Sequence, residues 1–121
     1  MVTLSRTDIL ADRVRRLLAP RPAAAKRMFG GLTFMLSGNM LCCVSEKGLM
    51  VRVGAAAEAE ALAKPHATPC LGAGRPMAGF IMVASPGLVA DADLKDWLGR
   101  ALRYVEALPP KEPKPGKQRT V

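Results

Sequence analysis

Three arginines stand inside or beside apolar segments: Arg27 in Lys26–Phe29, Arg52 in Leu49–Val53, and Arg75 just ahead of Met77. A guanidinium close to a sheet needs a partner, because an unpaired buried charge is costly. Acidic residues are scarce in those segments. If Arg27, Arg52 and Arg75 converge, they form a site for a carboxylate or a phosphate. If they diverge, each carries its charge to solvent along its own stem. The other residues with chemistry to offer are Cys42, Cys43, Cys70 and the single histidine, His66. Neighbours on a strand point to opposite faces, so Cys42 and Cys43 are poorly placed to share an ion, and no CxxC spacing occurs. No metal site is therefore expected. His66 lies in a proline-flanked loop with nothing to orient it as a base for a cysteine nucleophile. No catalytic set is visible, so neither an enzyme nor a bound cofactor is expected.

The most distinctive string is Arg27-Met28-Phe29-Gly30-Gly31. A phosphate-cradling loop would need a longer glycine pattern, a lysine and a following helix, and all three are missing. The string reads instead as a strand entering a tight turn, with glycine supplying positive φ and Met28 and Phe29 packing. Met28, Met35, Met40, Met50, Met77 and Met82 all fall among the expected strands. Methionine there serves as core or as an adaptable binding surface. Aromatic residues are too few for a platform that stacks single-stranded bases.

The net charge of +8 is concentrated at the ends. Residues 1–31 hold seven basic and two acidic residues, and residues 32–108 hold seven of each. Arg13, Arg15 and Arg16 near the start, with Lys111, Lys114 and Lys117 near the end, are the candidate contacts for nucleic acid, with weak and non-specific affinity expected. No stretch approaches a membrane span, and charges interrupt every candidate signal core. Three cysteines, an odd number, read as reduced thiols in the cytoplasm.

These residues must be held by a small α+β set of elements. A helix is expected over Arg6–Leu18, with Ser5 and Asp8 as a capping box and Leu10, Val14, Leu17 and Leu18 as its stripe. Four short strands follow at Lys26–Phe29, Leu32–Leu36, Met40–Ser45 and Leu49–Val53, joined by tight turns and therefore antiparallel. Alternation puts Leu41 and Cys43 opposite Met40, Cys42 and Val44, and Met50 and Arg52 opposite Leu49, Val51 and Val53. Apolar residues on both faces imply helices over one side and a second subunit over the other. Ala55–Ala63 reads as a short helix, 64–76 as a loop, and Met77–Val83 as a fifth strand. The last helix starts at Asp91 as N-cap and carries Leu94, Trp97, Leu98, Ala101, Leu102, Val105 and Leu108 on one stripe. Asp96 and Arg100 can pair within it. Residues 1–108 read as a single domain and 109–121 as a disordered basic tail.

With Arg27-Met28-Phe29-Gly30-Gly31 in place, the chain resembles the TfoX N-terminal domain family, also called TfoX/Sxy. The resemblance continues through the Gly38 hairpin, Leu49-Met50-Val51-Arg52-Val53-Gly54, and Gly74-Arg75-Pro76-Met77. It ends on Trp97 and the Leu108-Pro109-Pro110-Lys111 exit, and spans about residues 9–111. The short stand-alone bacterial members, which lack a second helical domain, are the most similar. The resemblance implies a curved antiparallel sheet of about five strands with an N-terminal, a short middle and a long C-terminal helix, similar to secretion chaperones. It also implies a role in transcriptional regulation; the regulators that name the family are coactivators beside a cyclic-AMP receptor protein. The shared motifs look structural, and no catalytic residue transfers with them. The expected function is a non-enzymatic regulatory or adaptor domain that binds a protein partner or forms a homodimer through its sheet. The alternatives are a nucleic-acid binder using its basic ends and an anion site on Arg27, Arg52 and Arg75.

Overall fold

The computed structural model describes residues 6–21, 23–28, 31–72 and 74–109. Helix α1 spans Arg6–Leu18, as the stripe predicts, and buries Leu10, Ala11, Val14 and Leu18 while Arg15 and Arg16 stay exposed. Ser5, its expected cap, lies outside the described residues. Strands β1 (Ala23–Met28), β2 (Gly31–Leu36), β3 (Asn39–Ser45) and β4 (Gly48–Arg52) then run back and forth as antiparallel neighbours. A 3-10 turn at Ala55–Ala57 leads into α2 (Glu58–Leu62), so the expected middle helix is shorter than its apolar pattern.

The chain next enters β5 (Ala67–Gly72) and returns through β6 (Arg75–Val83). The sheet order is β1-β2-β3-β4-β6-β5. Six strands replace the expected five, because the segment read as a loop contains β5. That strand sits at the sheet edge, where Pro69 removes no ladder bond that the sheet needs.

A second departure lies in β3. The register slips between Phe34 and Met35, so that Phe34 pairs with Cys42 and Met35 with Met40. Leu41 is the extra residue of this bulge. Alternation is broken there: Leu41, Cys42 and Val44 all join the helix-side core, and Cys43 faces the other way. In β4 the expected alternation holds, with Leu49, Val51 and Val53 in the helix-side core and Met50 in the opposite cluster.

Helix α3 (Asp91–Val105) buries Leu94, Trp97, Leu98, Ala101, Leu102 and Val105. Its N-cap is Ala90, with Asp91 as the first helical residue, so Asp91 favours the helix by its charge and not by a capping bond. Asp91 has another role, accepting from Arg13 in the middle of α1 at 2.9 Å and so joining that helix to the start of α3. At the exit, Asn39 of the β2–β3 turn donates through Nδ2 to the Pro109 carbonyl at 3.0 Å. The expected tail lies, apart from Pro109, outside the described residues.

Asp96 organises the outer side of α3. It accepts from Arg100 Nε at 3.0 Å and pairs with Lys64 Nζ at 3.3 Å. Partial burial pushes the Asp96 carboxyl up, but Arg100 and Lys64 outweigh it and hold the group below the usual carboxylate range. A carboxyl lowered on folding contributes its stability above its unfolded pKa and loses it as pH falls through the folded value. Asp96→Asn is expected to cost at most about 1 kcal/mol at neutral pH, the scale of half-exposed ion pairs. The gap to the wild type should close in acid, when urea unfolding is repeated at falling pH. A gap that widens in acid would contradict this assignment.

Candidate functional site

The three helices of the described residues place their buried residues on one face of the sheet, in a core shared with Phe34, Leu41, Val44, Leu49, Val51, Ile81 and Val83. The other face carries a separate cluster. Its buried members are Cys43, Met50 and Cys70, and half-buried Met40, Met77, Phe80 and Met82 pack around them. No described helix contributes a residue to it.

The register explains how residues so far apart in the chain meet. Thr33, Cys43, Met50, Met82 and Thr68 are successive cross-strand partners, so their side chains share the open face. Cys70 enters the row at the irregularity between Pro69 and Leu71, and its thiol reaches Met50 Sδ at 3.1 Å. Burial raises the Cys70 thiol pKa, the nearby Cys43 raises it further, and Lys47 opposes both. Beside Cys43, the buried Thr33 Oγ1 has no hydrogen-bond partner among the described residues. Cys42 belongs to the opposite core, where burial first and Cys43 second push its thiol far above the ordinary range.

The arginines expected to form an anion site lie apart. Arg27 is exposed on the edge strand β1, in the row of Leu32, Val44, Leu49 and Val83, which belongs to the helix side. Arg52 alternates with Val51 and Val53 onto the other face. Three strand spacings, about 14 Å, also separate β1 from β4. Arg75 is exposed at the far end of β6, opposite Gly72 in the last hairpin. Arg52 is satisfied internally: its guanidinium lies 5.7 Å from the Phe80 ring centre and 5.6 Å from that of Tyr104, and it donates to the Met40 carbonyl at 3.4 Å. Its role here is to tie α3 to the end of the sheet.

Arg13, Arg15 and Arg16 of α1 are also engaged. Arg13 donates to Asp91 and, at 3.2 Å, to the Val89 carbonyl. Arg16 pairs with Asp12 at 2.6 Å, and Arg15 lies over the Phe34 ring. Lys111, Lys114 and Lys117 lie outside the described residues.

Of the remaining motif residues, Met77 and Trp97 pack among buried neighbours. Met28 is half-buried at the end of β1, with its carbonyl 3.9 Å from Cys43 Sγ. Phe29 and Gly30 lie outside the described residues. A Cβ on Gly31 would meet the Val44 carbonyl oxygen at 2.1 Å. This glycine therefore serves close approach of β2 to β3, and not the positive φ expected of it, since its φ is negative or extended. Gly74 does adopt positive φ, in the β5–β6 turn. Pro76 pairs with Leu71, Met77 joins the open-face cluster, and Trp97 is buried under α3.

Compared with known proteins, residues 16–105 match the family model described as the TfoX N-terminal domain. The chain belongs to that family. The match covers about three quarters of the chain and includes each of the motifs from Arg27 to Trp97. No curated protein and no solved structure matches the chain. For this TfoX N-terminal domain, the fold is thus the expected α+β arrangement, with one more strand. No helix of the described residues is long and apolar enough to cross a membrane.

Proposed function

We propose that this TfoX N-terminal domain is a non-enzymatic, cytoplasmic adaptor in transcriptional regulation that works by self-association through the open face of its sheet. One observation carries the reading: all three helices pack on one face, and the other presents Met40, Met77, Phe80 and Met82 over a buried sulfur-rich floor. An apolar sheet face without a helix is commonly covered by another chain. Methionines adapt to a partner surface without demanding fixed polar geometry. The region between the basic ends has no net charge, so two copies can meet there without strong repulsion. The nucleic-acid reading is less favoured, since Arg13 and Arg16 already have carboxylate partners.

The test is the oligomeric state of the full chain, by sedimentation velocity over a range of concentrations. Reversible dimerisation is expected for the wild type. Met82→Lys, at a half-buried position in the middle of the face, should weaken it by at least tenfold while leaving the circular dichroism spectrum unchanged. A wild type that stays monomeric at high concentration, or a dimer indifferent to Met82→Lys, would overturn the proposed surface.

A further inference from the structure

We propose that the free edge of β1 docks an acidic, extended segment of another protein, which adds to the sheet as a further strand. Strand β1 ends the sheet order, and no described strand pairs with its outer side. The backbone groups of alternate residues along that side therefore lack a ladder partner. Ala24, Ala25, Lys26 and Arg27 are all exposed, and Ala23, Ala24 and Ala25 carry only methyl groups, so no bulky side chain of β1 shields the backbone there. This surface is the rim of the sheet and not its open face, so it does not depend on self-association.

Charge selects the partner. Ala23, Ala25 and Arg27 pair with Leu36, Phe34 and Leu32, which belong to the helix side. A cation stands beside each of these positions. Arg27 supplies one itself. Arg15 lies over the ring of Phe34, the cross-strand partner of Ala25. Arg21 lines one cleft with Arg15, Ala23 and Phe34. Residues on one face of a strand recur every ~7 Å, so an added strand with carboxylates at alternate positions meets one guanidinium at each step. Arg21 also holds Glu106, but no carboxylate of the described residues pairs with Arg15, Lys26 or Arg27.

The same charges disfavour other occupants. A second copy of β1 would bring Lys26 and Arg27 of both chains onto one short ladder, where like charges repel. Residues 110–121 of this chain hold four basic residues against Glu112, so they do not supply the acidic strand. A nucleic acid would satisfy the guanidinium groups, but its phosphates accept hydrogen bonds and cannot serve the edge carbonyls. A peptide backbone serves both the N–H and the C=O groups.

The experiment adds a fluorescein-labelled peptide of alternating glutamate and valine to the full-length protein and follows its anisotropy. Saturable binding is expected, and amide hydrogen exchange across residues 23–28 should slow when the peptide binds. Arg27→Glu, at an exposed position, should weaken binding by about tenfold or more with an unchanged circular dichroism spectrum. Arg103→Glu makes the same charge change at an exposed position on α3, beside Gly54 and Ala57, and should bind like the wild type. A peptide with proline in place of each valine keeps the charge but loses backbone donors, and should not compete. No binding, unaltered exchange across β1, equal losses for Arg27→Glu and Arg103→Glu, or a proline peptide as tight as the first would each overturn the site. A mixed-sequence DNA duplex that displaces the peptide and slows the same amides would overturn the class of partner.

Discussion

Replacing Gly48 by alanine should remove roughly 2–6 kcal/mol of stability, a large part of the 5–15 kcal/mol that holds a domain folded. Two separate costs meet at this residue. Its φ is +130°, a conformation that side-chain-bearing residues rarely adopt. A Cβ there would also fall 2.1 Å from the Val83 carbonyl oxygen, 3.1 Å from its carbon and 3.2 Å from Ala84 Cα. These are backbone atoms, and they cannot turn aside as a side chain can. Val83 is fixed from both sides, paired with Leu49 on β4 and with Ala67 on β5. Two other glycines separate the terms. Gly74 has φ +81° but open space around it, so Gly74→Ala should show strain alone, about 1–2 kcal/mol. Gly31 has the close approach without the left-handed backbone, so Gly31→Ala isolates the clash. Urea unfolding followed by circular dichroism should rank Gly48→Ala as the most damaging of the three. Equal losses for Gly48→Ala and Gly74→Ala would mean that β4 and β6 can move apart, and would refute the argument.

What could be read in the sequence was what short-range pattern controls. The α3 stripe is a local periodicity: its first six positions are all buried, while the seventh, Leu108, falls beyond the helix end and is half-buried. The first four strands are separated by turns, and turns of that length leave antiparallel hairpins as the simplest connection. Strand β5 escaped because Pro69 and Gly72 look like loop residues, and only an edge position makes them tolerable. The β3 bulge escaped because strict alternation assumes an unbroken register, and one extra residue, Leu41, reverses it. Met40 joins the open-face cluster through that reversal, and Cys70 joins it by lying in a strand. Cys43 and Met50 could be paired across the β3–β4 hairpin, but Cys70 could not be added before β5 was known. Charge was legible, but partners were not: Arg13 finds Asp91 at a separation of 78 residues, and Arg52 finds the Tyr104 ring on a helix that follows two more strands.

Trp97→Ala is expected to cost about 3–5 kcal/mol, the range for deleting a large buried aromatic side chain. Trp97 is 2 % exposed and belongs to the one core that joins all three helices to the sheet. Truncation there leaves a void between α3 and its neighbours, and close-packed interiors collapse into such voids incompletely. The ring has a second duty. Lys64 Nζ and the Arg100 guanidinium each lie 5.7 Å from its centre, and both also pair with Asp96. Removing the ring takes away the surface on which these cations rest and loosens the pairing. Trp97→Phe keeps much of the apolar volume and an aromatic face, so it should lose clearly less. Trp97 is the chain's single tryptophan, so unfolding must be followed by far-ultraviolet circular dichroism and not by its fluorescence. In a double-mutant cycle with Asp96→Asn, the two losses should fall short of adding, because both substitutions release Lys64 and Arg100. Strict additivity would show that the tryptophan acts by volume alone. A loss under about 1 kcal/mol for Trp97→Ala would place the residue outside the core and undercut its reading as a structural motif residue of the family.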